Sequence, residues 1–570
     1  MIVEHLDDLP VLGALFDSTN LSKLLEAYFP DHGHWKGISG GQLTLGWLLY
    51  ILSEGDHRLS HVEDWASARL LSLSSILQEP ALRALDFCDD RLGRLLDRFS
   101  NDDSWESFEL AFNQDFLEVY SLKSVEGFEV VRTDSFNVPE FREEGELFRH
   151  GYSKQRRSDQ PFCKVMLSMN DCSMTPIAVD IIQGSGPDSN HYCSVIERVQ
   201  STLKSKGNLY VGDAQLGSLS NRYRIHSSGD YYLCPLGKKQ CGLDKLYSYL
   251  DDLSSDYTEL ASIFTTDDSH RKSAYFGEVI VTEKDAQTGQ SWPERRILVY
   301  SPDYANGLIQ SFNNRLDEAE EKIKSLVISK AGRRNPKTLA ALYERIGHII
   351  KKYKVEDCFE IDCSEKKEKY RVQKYKGRKA EERQTVTLYL NLKRDQHKIA
   401  LKKRRLGWQL YASNAPIDRI TTTQLVTIYR DQYRIEHLFD YMINRHTGLL
   451  PVYLQKESRV KGLVRLLSLG MKFSMLLQYQ VREELKKSNQ RLKGIYPGNK
   501  GRSTNMPTTT LLLSVFRGIS AVFIKIEEHS VVEMTPFTET QNEVLALLKF
   551  KNIYLHIRDL LKTNIGLRET

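Results

Sequence analysis

The spacing of hydrophobic residues divides the chain into a helical beginning, a middle of strands and helices, and a helical end. Up to about residue 126, apolar side chains recur three and four positions apart, as over residues 21–29 and 41–51. This spacing predicts amphipathic helices. From residue 128 the pattern changes to short apolar runs, which predict strands. We therefore expect a helical N-terminal domain over residues 1–126.

Residues 128–235 have the pattern of a mixed α/β sheet. Three consecutive apolar runs predict three strands, and the order is then helix, strand, helix, strand. The predicted strands are 128–134, 162–169, 177–182, 208–213 and 231–235, with helices over 194–203 and 217–226. Strands combined with covering helices form a layered α/β domain.

A long segment interrupts this layer before it resumes. Residues 240–405 mix predicted strands with a charged helix near 310–328, and we interpret them as an inserted subdomain. A strand over 407–413 and a helix over 422–442 resume the layer, and the apolar residues 460–480 predict a buried helix. Residues 497–504 predict a flexible link. The expected units are 1–126, 127–239, 240–405, 406–496 and 497–570.

Composition narrows the class of protein. The 570 residues are 41% hydrophobic and 27% charged, which is typical of a globular protein with several domains. No run approaches the roughly 18 apolar residues of a membrane span, and the first ten residues do not have the pattern of a secretion signal. The eight cysteines contain no C-x-x-C pair, so we expect reduced thiols in a cytoplasmic protein without a zinc knuckle.

Basic residues are concentrated in three segments although the net charge is only +4. The segments are 369–379, 486–502 and 398–405, and the last contains Lys402, Lys403, Arg404 and Arg405. Such segments can neutralise DNA phosphates. The alternative is a solvated surface that nearby acids balance.

Residues 429–443 read as one helix with a carboxylate among aromatic and basic residues. Four side chains share one face at spacings of four, three and four: Tyr429, Tyr433, Glu436 and Asp440. Together with Arg430 and Arg434, this face is typical of a site that handles phosphate with a metal. The alternative is an amphipathic helix with an exposed glutamate and ordinary surface arginines.

Two further acids each end a predicted strand. Asp134 follows the first strand of the layer, and Asp213 follows the fourth. Acids at strand ends meet where an α/β sheet forms its site, and their hard oxygens suit Mg²⁺. Two such ions can bracket a displacement at phosphorus. An aspartate after a strand is also common as a turn or helix cap.

With these three acids the chain resembles DDE transposases of bacterial insertion sequences. It is most similar to the IS-four superfamily and its IS-sixteen-thirty-four-like branch. The resemblance covers about residues 128–480 and includes V-V-R-T-Asp134-S-F, V-G-Asp213-A, the helix around Glu436, and residues 151–159, 183–188, 410–414 and 450–453. It implies an α/β, RNase H-like catalytic core that a β-rich insertion interrupts, with a helical N-terminal domain and a helical C-terminal part.

The resemblance also implies a reaction and its participants. A transposase of this kind cuts double-stranded DNA at terminal inverted repeats and joins the freed 3′-hydroxyl to target DNA, in the bacterial cytoplasm and at the nucleoid. Asp134, Asp213 and Glu436 would be the catalytic residues and the ligands of two Mg²⁺ ions, which Mn²⁺ can replace. Residues 1–126 would bind the DNA ends, and residues 497–570 would support a homodimer in the synaptic complex. DNA contacts are expected from Tyr429, Arg430, Arg434, Arg445, Trp408, Lys402, Lys403, Arg404 and Arg405.

Two positions depart from the family pattern. Gln432 and Ile443 stand where the family has Arg and Lys, and Arg434 and Arg445 lie nearby in sequence. Trp408 is a candidate to stack on a flipped base, or else a core tryptophan. A hydrolytic nuclease of the same fold and a catalytically impaired DNA-binding protein are the alternative functions.

Overall fold

The computed structural model describes residues 1–122, 127–151, 159–253, 257–264, 272–328, 335–372, 381–445, 447–526 and 529–568. All eight cysteines lie within these ranges, and none forms a disulfide. Among the described helices, none has the length and apolar composition that a membrane crossing requires. Most of the segment 151–159 and residues 373–379 lie outside the described residues.

Helices dominate both ends of the chain and cover the central sheet. The helices are α1 (Leu9–Asp17), α2 (Leu21–Tyr28), α3 (Gly40–Glu54), α4 (Val62–Ser67), α5 (Leu70–Ile76), α6 (Asp89–Phe99), α7 (Asp102–Val119), α8 (Ser189–Leu203), α9 (Leu219–Ser227), α10 (Leu243–Asp251), α11 (Pro302–Lys324), α12 (Leu339–Tyr353), α13 (Gln396–Arg404), α14 (Thr422–Arg430), α15 (Tyr433–Asp440), α16 (Glu457–Ser488), α17 (Thr509–Ser514), α18 (Glu539–Leu547) and α19 (Ile553–Arg568). The predicted helical beginning and the buried helix over 460–480 are confirmed.

Nine strands form one mixed sheet. The strands of the chain are β1 (Ile2–His5), β2 (Val130–Pro139), β3 (Phe162–Asn170), β4 (Pro176–Gln183), β5 (Leu209–Gly212), β6 (Tyr231–Pro235), β7 (Ala261–Phe264), β8 (Lys272–Lys284), β9 (Ser291–Tyr300), β10 (Phe359–Val372), β11 (Glu381–Arg394), β12 (Trp408–Ser413), β13 (Leu492–Lys493), β14 (Ser503–Thr504), β15 (Ser520–Ile526) and β16 (His529–Met534). The large sheet has the order β4-β3-β2-β5-β6-β12-β9-β8-β7. Pairing is parallel between β2 and β5 and between β5 and β6, and antiparallel elsewhere in this sheet. The predicted mixed α/β class is confirmed.

The segment between β6 and β12 extends this sheet. Its strands β7, β8 and β9 join the sheet through β12, which pairs with β6 on one side and β9 on the other. The long strands β10 and β11 form a separate ribbon. Apolar side chains on one face of that ribbon, such as Ile361 and Leu390, pack with Leu342 and Ile346 of α12.

The first strand of the chain pairs with a strand near its other end. Strand β1 pairs with β15, so the first residues complete a three-stranded sheet near the end of the chain. Helix α16 is almost wholly buried along its first two thirds, and it contacts α3, α6 and β4. It therefore joins the N-terminal helices to the central sheet through one continuous apolar core.

Three local predictions were wrong. Residues 429–443 do not form one helix, because α14 ends at Arg430, α15 begins at Tyr433, and a π-helical turn follows over Tyr441–Arg445. Asp134 lies in the middle of β2 and does not end it. Residues 497–504 belong to the turn and second strand of the short β13–β14 hairpin.

Candidate active site

Strand pairing brings Asp134 and Asp213 side by side. The parallel register of β2 and β5 pairs residues that are 79 positions apart, from Val130 with Leu209 to Thr133 with Gly212. Asp134 and Asp213 are the next pair in this register. Neighbouring strands lie about 4.8 Å apart, and paired residues point to the same face. The two half-buried carboxylates therefore stand together where the parallel pairing ends.

Helix α15 lies along the face of β2 that carries Asp134. Near the start of the helix, Arg132 Nη1 donates a hydrogen bond to Gln432 Oε1 at 3.2 Å. Near its end, the rings of Phe136 and Phe439 lie 4.8 Å apart. The side chains of residues 132, 134 and 136 share one face of the strand, so both contacts are made on the face of Asp134.

These two contacts place Glu436 opposite Asp134. On the strand, Asp134 lies midway between the contact points. On the helix, Glu436 follows the first contact by four residues and precedes the second by three, which is one helix face. Glu436 is exposed. The glutamate thus faces the paired aspartates from the helix side.

Tyr192 of α8 contacts Asp213 and the strand that carries Asp134. Its hydroxyl donates to Asp213 Oδ1 at 2.9 Å and lies 3.4 Å from the carbonyl oxygen of Thr133. Burial, followed by the negative charges of Asp213 and Asp134, raises the pKa of Tyr192 well above its usual range. The phenol therefore stays protonated as a donor. Sequence reasoning missed Tyr192, because its partner lies 21 residues away on another element.

Tyr429 lies close to the same acids from α14. Its ring is 4.3 Å from that of Tyr411 on β12. Burial, then Tyr411 and more weakly Asp213 and Asp134, raises the pKa of Tyr429 above its usual value. The structure thus brings Tyr429 to the predicted acids, while Arg430 is exposed at the end of its helix.

The donor set suits a hard divalent cation only in part. Within the described residues, no three His, Cys, Asp or Glu side chains converge as metal ligands. Asp134 and Asp213 form a pair, and Mg²⁺ commonly takes one or two carboxylates and keeps several waters. The pair therefore fits the ion, whereas Glu436 faces the pair without closing a three-carboxylate set.

The position where the family has an arginine has a structural explanation. Arg132 is completely buried beside Gln432 and donates from Nε to Asp171 at 2.6 Å. A second arginine at position 432 would put two cations against each other at this buried point. Arg434 Nη1 also donates to Asp171, at 2.8 Å. Ile443 packs against the main apolar core.

The basic end of the insertion lies at the same sheet edge as the acids. Strand β12 runs antiparallel to β6, with Tyr411 paired to Pro235, so its first residue, Trp408, lies at the edge where β5 and β6 end. Helix α13 precedes Trp408 directly. The basic segment and the acids are therefore on one side of the molecule, as a shared DNA surface requires.

Three of the four predicted basic residues line one cavity. Lys403, Arg404 and Arg405 border a cavity of about 480 Å³ together with Trp408. Lys402 is not part of its lining and donates to the carbonyl oxygen of Glu356.

Trp408 forms part of the wall of this cavity. It is half-buried, its ring lies 5.2 Å from Tyr300, and its Nε1 donates to the carbonyl oxygen of Arg404 at 3.1 Å. The Arg445 side chain lies outside the described part of the structure.

The N-terminal arginines have protein partners. On α6, Arg91 pairs with Asp86 and Arg98 pairs with Asp31. Both guanidinium groups lie over the ring of Trp35, at 4.6 and 4.3 Å from its centroid. These two arginines thus connect the helices of this region to each other.

Comparison with known families decides the identity. Residues 129–470 match the family described as the transposase DDE domain, and this match spans more than half of the chain. The chain belongs to the DDE transposases. The prediction from the three acids is confirmed at the level of the family, and the protein is a DNA transposase. The matched region of this transposase runs from β2 into α16 and includes Asp134, Asp213 and Glu436.

Other comparisons add context. Residues 1–111 of this transposase match a domain of unknown function, DUF4277. No curated protein matches the chain. Among solved structures, it is similar to the cryo-EM structure of a piggyBac transposase synaptic complex with hairpin DNA. The identity is 8% and the TM-score 0.35, over 98% of this chain and 85% of the other.

Proposed function

We propose that Asp134, Asp213 and Glu436 form the active site of this transposase. The site would cut the ends of an insertion sequence and join them to target DNA. The observation that carries this proposal is the shared register of Asp134 and Asp213 beneath the helix that presents Glu436. Bound Mg²⁺ ions, or Mn²⁺ in their place, would activate the attacking hydroxyl and neutralise the leaving oxygen.

The strand order supports an RNase H-like core. Strands β4-β3-β2-β5-β6 include three antiparallel strands followed by two parallel ones. In this interpretation residues 127–239 and 406–496 are the two parts of the core, and residues 240–405 are its insertion. Residues 1–126 bind the DNA ends, and residues 497–570 take part in dimerisation.

Protein groups prepare the Asp213 carboxylate for a cation. Tyr192 and the backbone N–H of Gln215 both donate to Oδ1, each at 2.9 Å. A carboxylate that accepts fixed hydrogen bonds on one oxygen keeps its orientation. Asp213 would then hold the ion through its other oxygen. Tyr192 is therefore a positioning residue in this proposal.

The DNA path follows from the two basic regions beside the acids. Lys402, Lys403, Arg404 and Arg405 would contact phosphates on the insertion side, and Trp408 would contact a base there. Arg430, Tyr429, Arg434 and Arg445 would contact DNA on the helix side. The substrates are the terminal inverted repeats and target DNA, which two copies of the chain hold in a synaptic complex in the bacterial cytoplasm, at the nucleoid.

Isosteric replacements of the acids test the site. The substrate is a plasmid that carries the DNA flanking the gene on both sides, incubated with the full chain and Mg²⁺ or Mn²⁺. Asp134→Asn, Asp213→Asn and Glu436→Gln should each slow end cleavage by about a thousandfold, or about 4 kcal/mol. DNA binding should be retained, because these variants remove no basic group.

The control is Asp180→Asn on β4, whose carboxylate lies 3.9 Å from Arg198. This variant should cleave at the wild-type rate. Cleavage that survives in any of the three acid variants would contradict the assignment. Cut DNA without joined products would identify a hydrolytic nuclease, and binding without any cutting would identify an impaired DNA-binding protein.

A further inference from the structure

A basic groove lies beside α15, outside the group of acids. It is a cavity of about 550 Å³ between the second half of α16, the β3–β4 turn and the β13–β14 hairpin. Four cations line it, namely Arg434, Arg482, Lys486 and Arg491, with Glu483 as a single acid. We call these four residues and the space between them the basic groove.

The positive charge of the groove is not balanced from within. Among the described residues, neither Arg482 nor Lys486 forms an ion pair with an acid. Arg482 Nε donates only to the carbonyl oxygen of Pro507, at 2.9 Å. Burial, followed by the like charge of Arg434, lowers the pKa of Arg482 to about 10. Two guanidinium groups that repel each other across a cavity create a site for an anion.

Neighbouring donor groups add to the unbalanced positive charge of the groove. Arg434 contacts the carboxylate of Asp171, which is already bonded to Arg132. Buried donor atoms of Arg132 (Nη2) and Gln432 (Nε2) have no acceptor in the described part of the chain. Arg491 is fixed by bonds to Ser503, to Oγ at 3.2 Å and to the carbonyl oxygen at 3.1 Å.

The groove is a short distance from the acids. Its wall includes Cys172 and Met174 of the β3–β4 turn, and this turn is bonded to the start of β2 through Asp171 N and Val130 O at 2.9 Å. Asp134 lies four residues further along β2, or about 13 Å at the rise of a strand. One strand of duplex DNA carries a phosphate about every 3.4 Å along the axis. The β3–β4 turn, which forms one wall of the groove, is thus about four base pairs from Asp134.

We propose that the basic groove binds backbone phosphates of the DNA about four base pairs from the phosphodiester that is cut at Asp134. This proposal rests on the proposed function for the position of the cut. Its ligand class is the phosphodiester, and contacts of this kind position DNA without reading its sequence. The groove would therefore fix the register of the strand in the active site.

A pair of neighbouring lysines gives a matched test. Lys486 lines the groove, whereas Lys487 is equally exposed but bonds to Glu484 at 3.2 Å. Affinity for duplex DNA is measured in EDTA at several salt concentrations. The double variant Arg482→Gln/Lys486→Gln should bind about tenfold more weakly and lower the slope of log K against log salt by about two. Lys487→Gln should change neither quantity.

An unchanged slope in a folded double variant, judged by its thermal midpoint, would overturn the proposal. The proposal would also be overturned if the double variant lost affinity for inorganic phosphate, measured by competition, but kept its affinity for DNA. The groove would then hold free anions. The double variant should lose the same factor of affinity for DNA of the element ends and for unrelated duplexes. Wild-type protein that binds in this way but never cuts DNA with Mg²⁺ or Mn²⁺ would contradict the proposed function and leave the groove supported.

Single methylphosphonates locate the contact. This neutral group is placed at one phosphate at a time on either side of the cut. The affinity of the wild-type protein should fall when the methylphosphonate lies about three to five base pairs from the cut. The affinity of the double variant should not fall further at those positions. Equal losses for both proteins at every position would overturn the location.

Discussion

The two halves of α16 carry the same kinds of cation in opposite surroundings. In the first half, Arg465 and Lys472 are buried among protein oxygens. Arg465 donates to the carbonyl oxygen of Phe99 at 2.7 Å, and Lys472 donates to the carbonyl oxygen of Pro176. In the second half, Arg482 and Lys486 line the basic groove. One half uses its cations to join parts of the chain, and the other presents them to a ligand.

This difference shows why a count of basic residues does not locate a DNA surface. Arg91 and Arg98 of α6 are neutralised by Asp86 and Asp31, just as Arg465 and Lys472 of α16 are satisfied by the elements around them. Which cations remain available depends on the packing partners of each helix. The comparison therefore predicts stability effects in the first half of α16 and effects on DNA affinity in the second.

The largest stability effect is expected from Arg465→Met. The replacement removes the donor of the buried carbonyl oxygen of Phe99 and the charged hydrogen bond to Asp102. A buried acceptor without its donor costs about 1–3 kcal/mol and a lost hydrogen bond to a charged group about 1.5–3 kcal/mol, so the free energy of unfolding should fall by about 4 kcal/mol. Denaturant titration, monitored by tryptophan fluorescence, measures this free energy, since Trp105 lies 5.3 Å from the guanidinium. A loss of DNA affinity at unchanged stability would break the comparison.

A pH-dependent effect of intermediate size is expected from Lys472. Burial lowers its pKa from 10.5 to about 7. Between these values the unfolded chain binds a proton that the native state does not, so stability rises with pH through this window. The slope is about 1.4 kcal/mol per pH unit, or about 2–3 kcal/mol from pH 7 to pH 9. The dependence should disappear in Lys472→Met and persist in Lys461→Met, as measured by unfolding midpoints across this range.

The smallest of these effects is expected from Gly462→Ala. A methyl group at Gly462 would meet the backbone carbonyl of Leu96 on α6 at 2.2 Å. Overpacking costs about 1–3 kcal/mol, which the better helix propensity of alanine reduces by about 1 kcal/mol. Gly470→Ala is the control, because its methyl group meets the ends of two flexible side chains, Leu52 at 3.2 Å and Leu48 at 3.4 Å. Equal thermal midpoints for the two variants would show that α16 does not approach α6 this closely.

Much of the fold was predictable from local patterns. Each strand from β3 to β6 was predicted within one residue, because buried strands are continuous apolar runs with polar ends, whereas β2 continues five residues beyond its predicted end. The break after Arg430 was missed. Residues 429–443 keep helical spacing across it, and nothing local shows that Asp431 and Gln432 separate α14 from α15.

The candidate site was predictable as a set of residues and not as a geometry. Asp134, Asp213 and Glu436 could be selected because two aspartates after strands, combined with a glutamate in a later helix, are recognisable in sequence. Tyr192 could not, because an isolated tyrosine in a helix has no signal until its partner is known. Of the groove, only Lys486 and Arg491 lay in a predicted basic segment, with no indication of what lies across from it.

The sequence by itself determined the helical and strand periods, the mixed α/β class and the three acids that mark the family. The tertiary structure alone decided that Asp134 and Asp213 share a register, that α15 carries Glu436 along β2, and that some cations are neutralised while others face a groove. The physical reason is the range of the interactions. Periodicity arises between residues three or four apart, whereas charge balance and strand register arise between residues tens to hundreds of positions apart, such as Arg132 and Gln432.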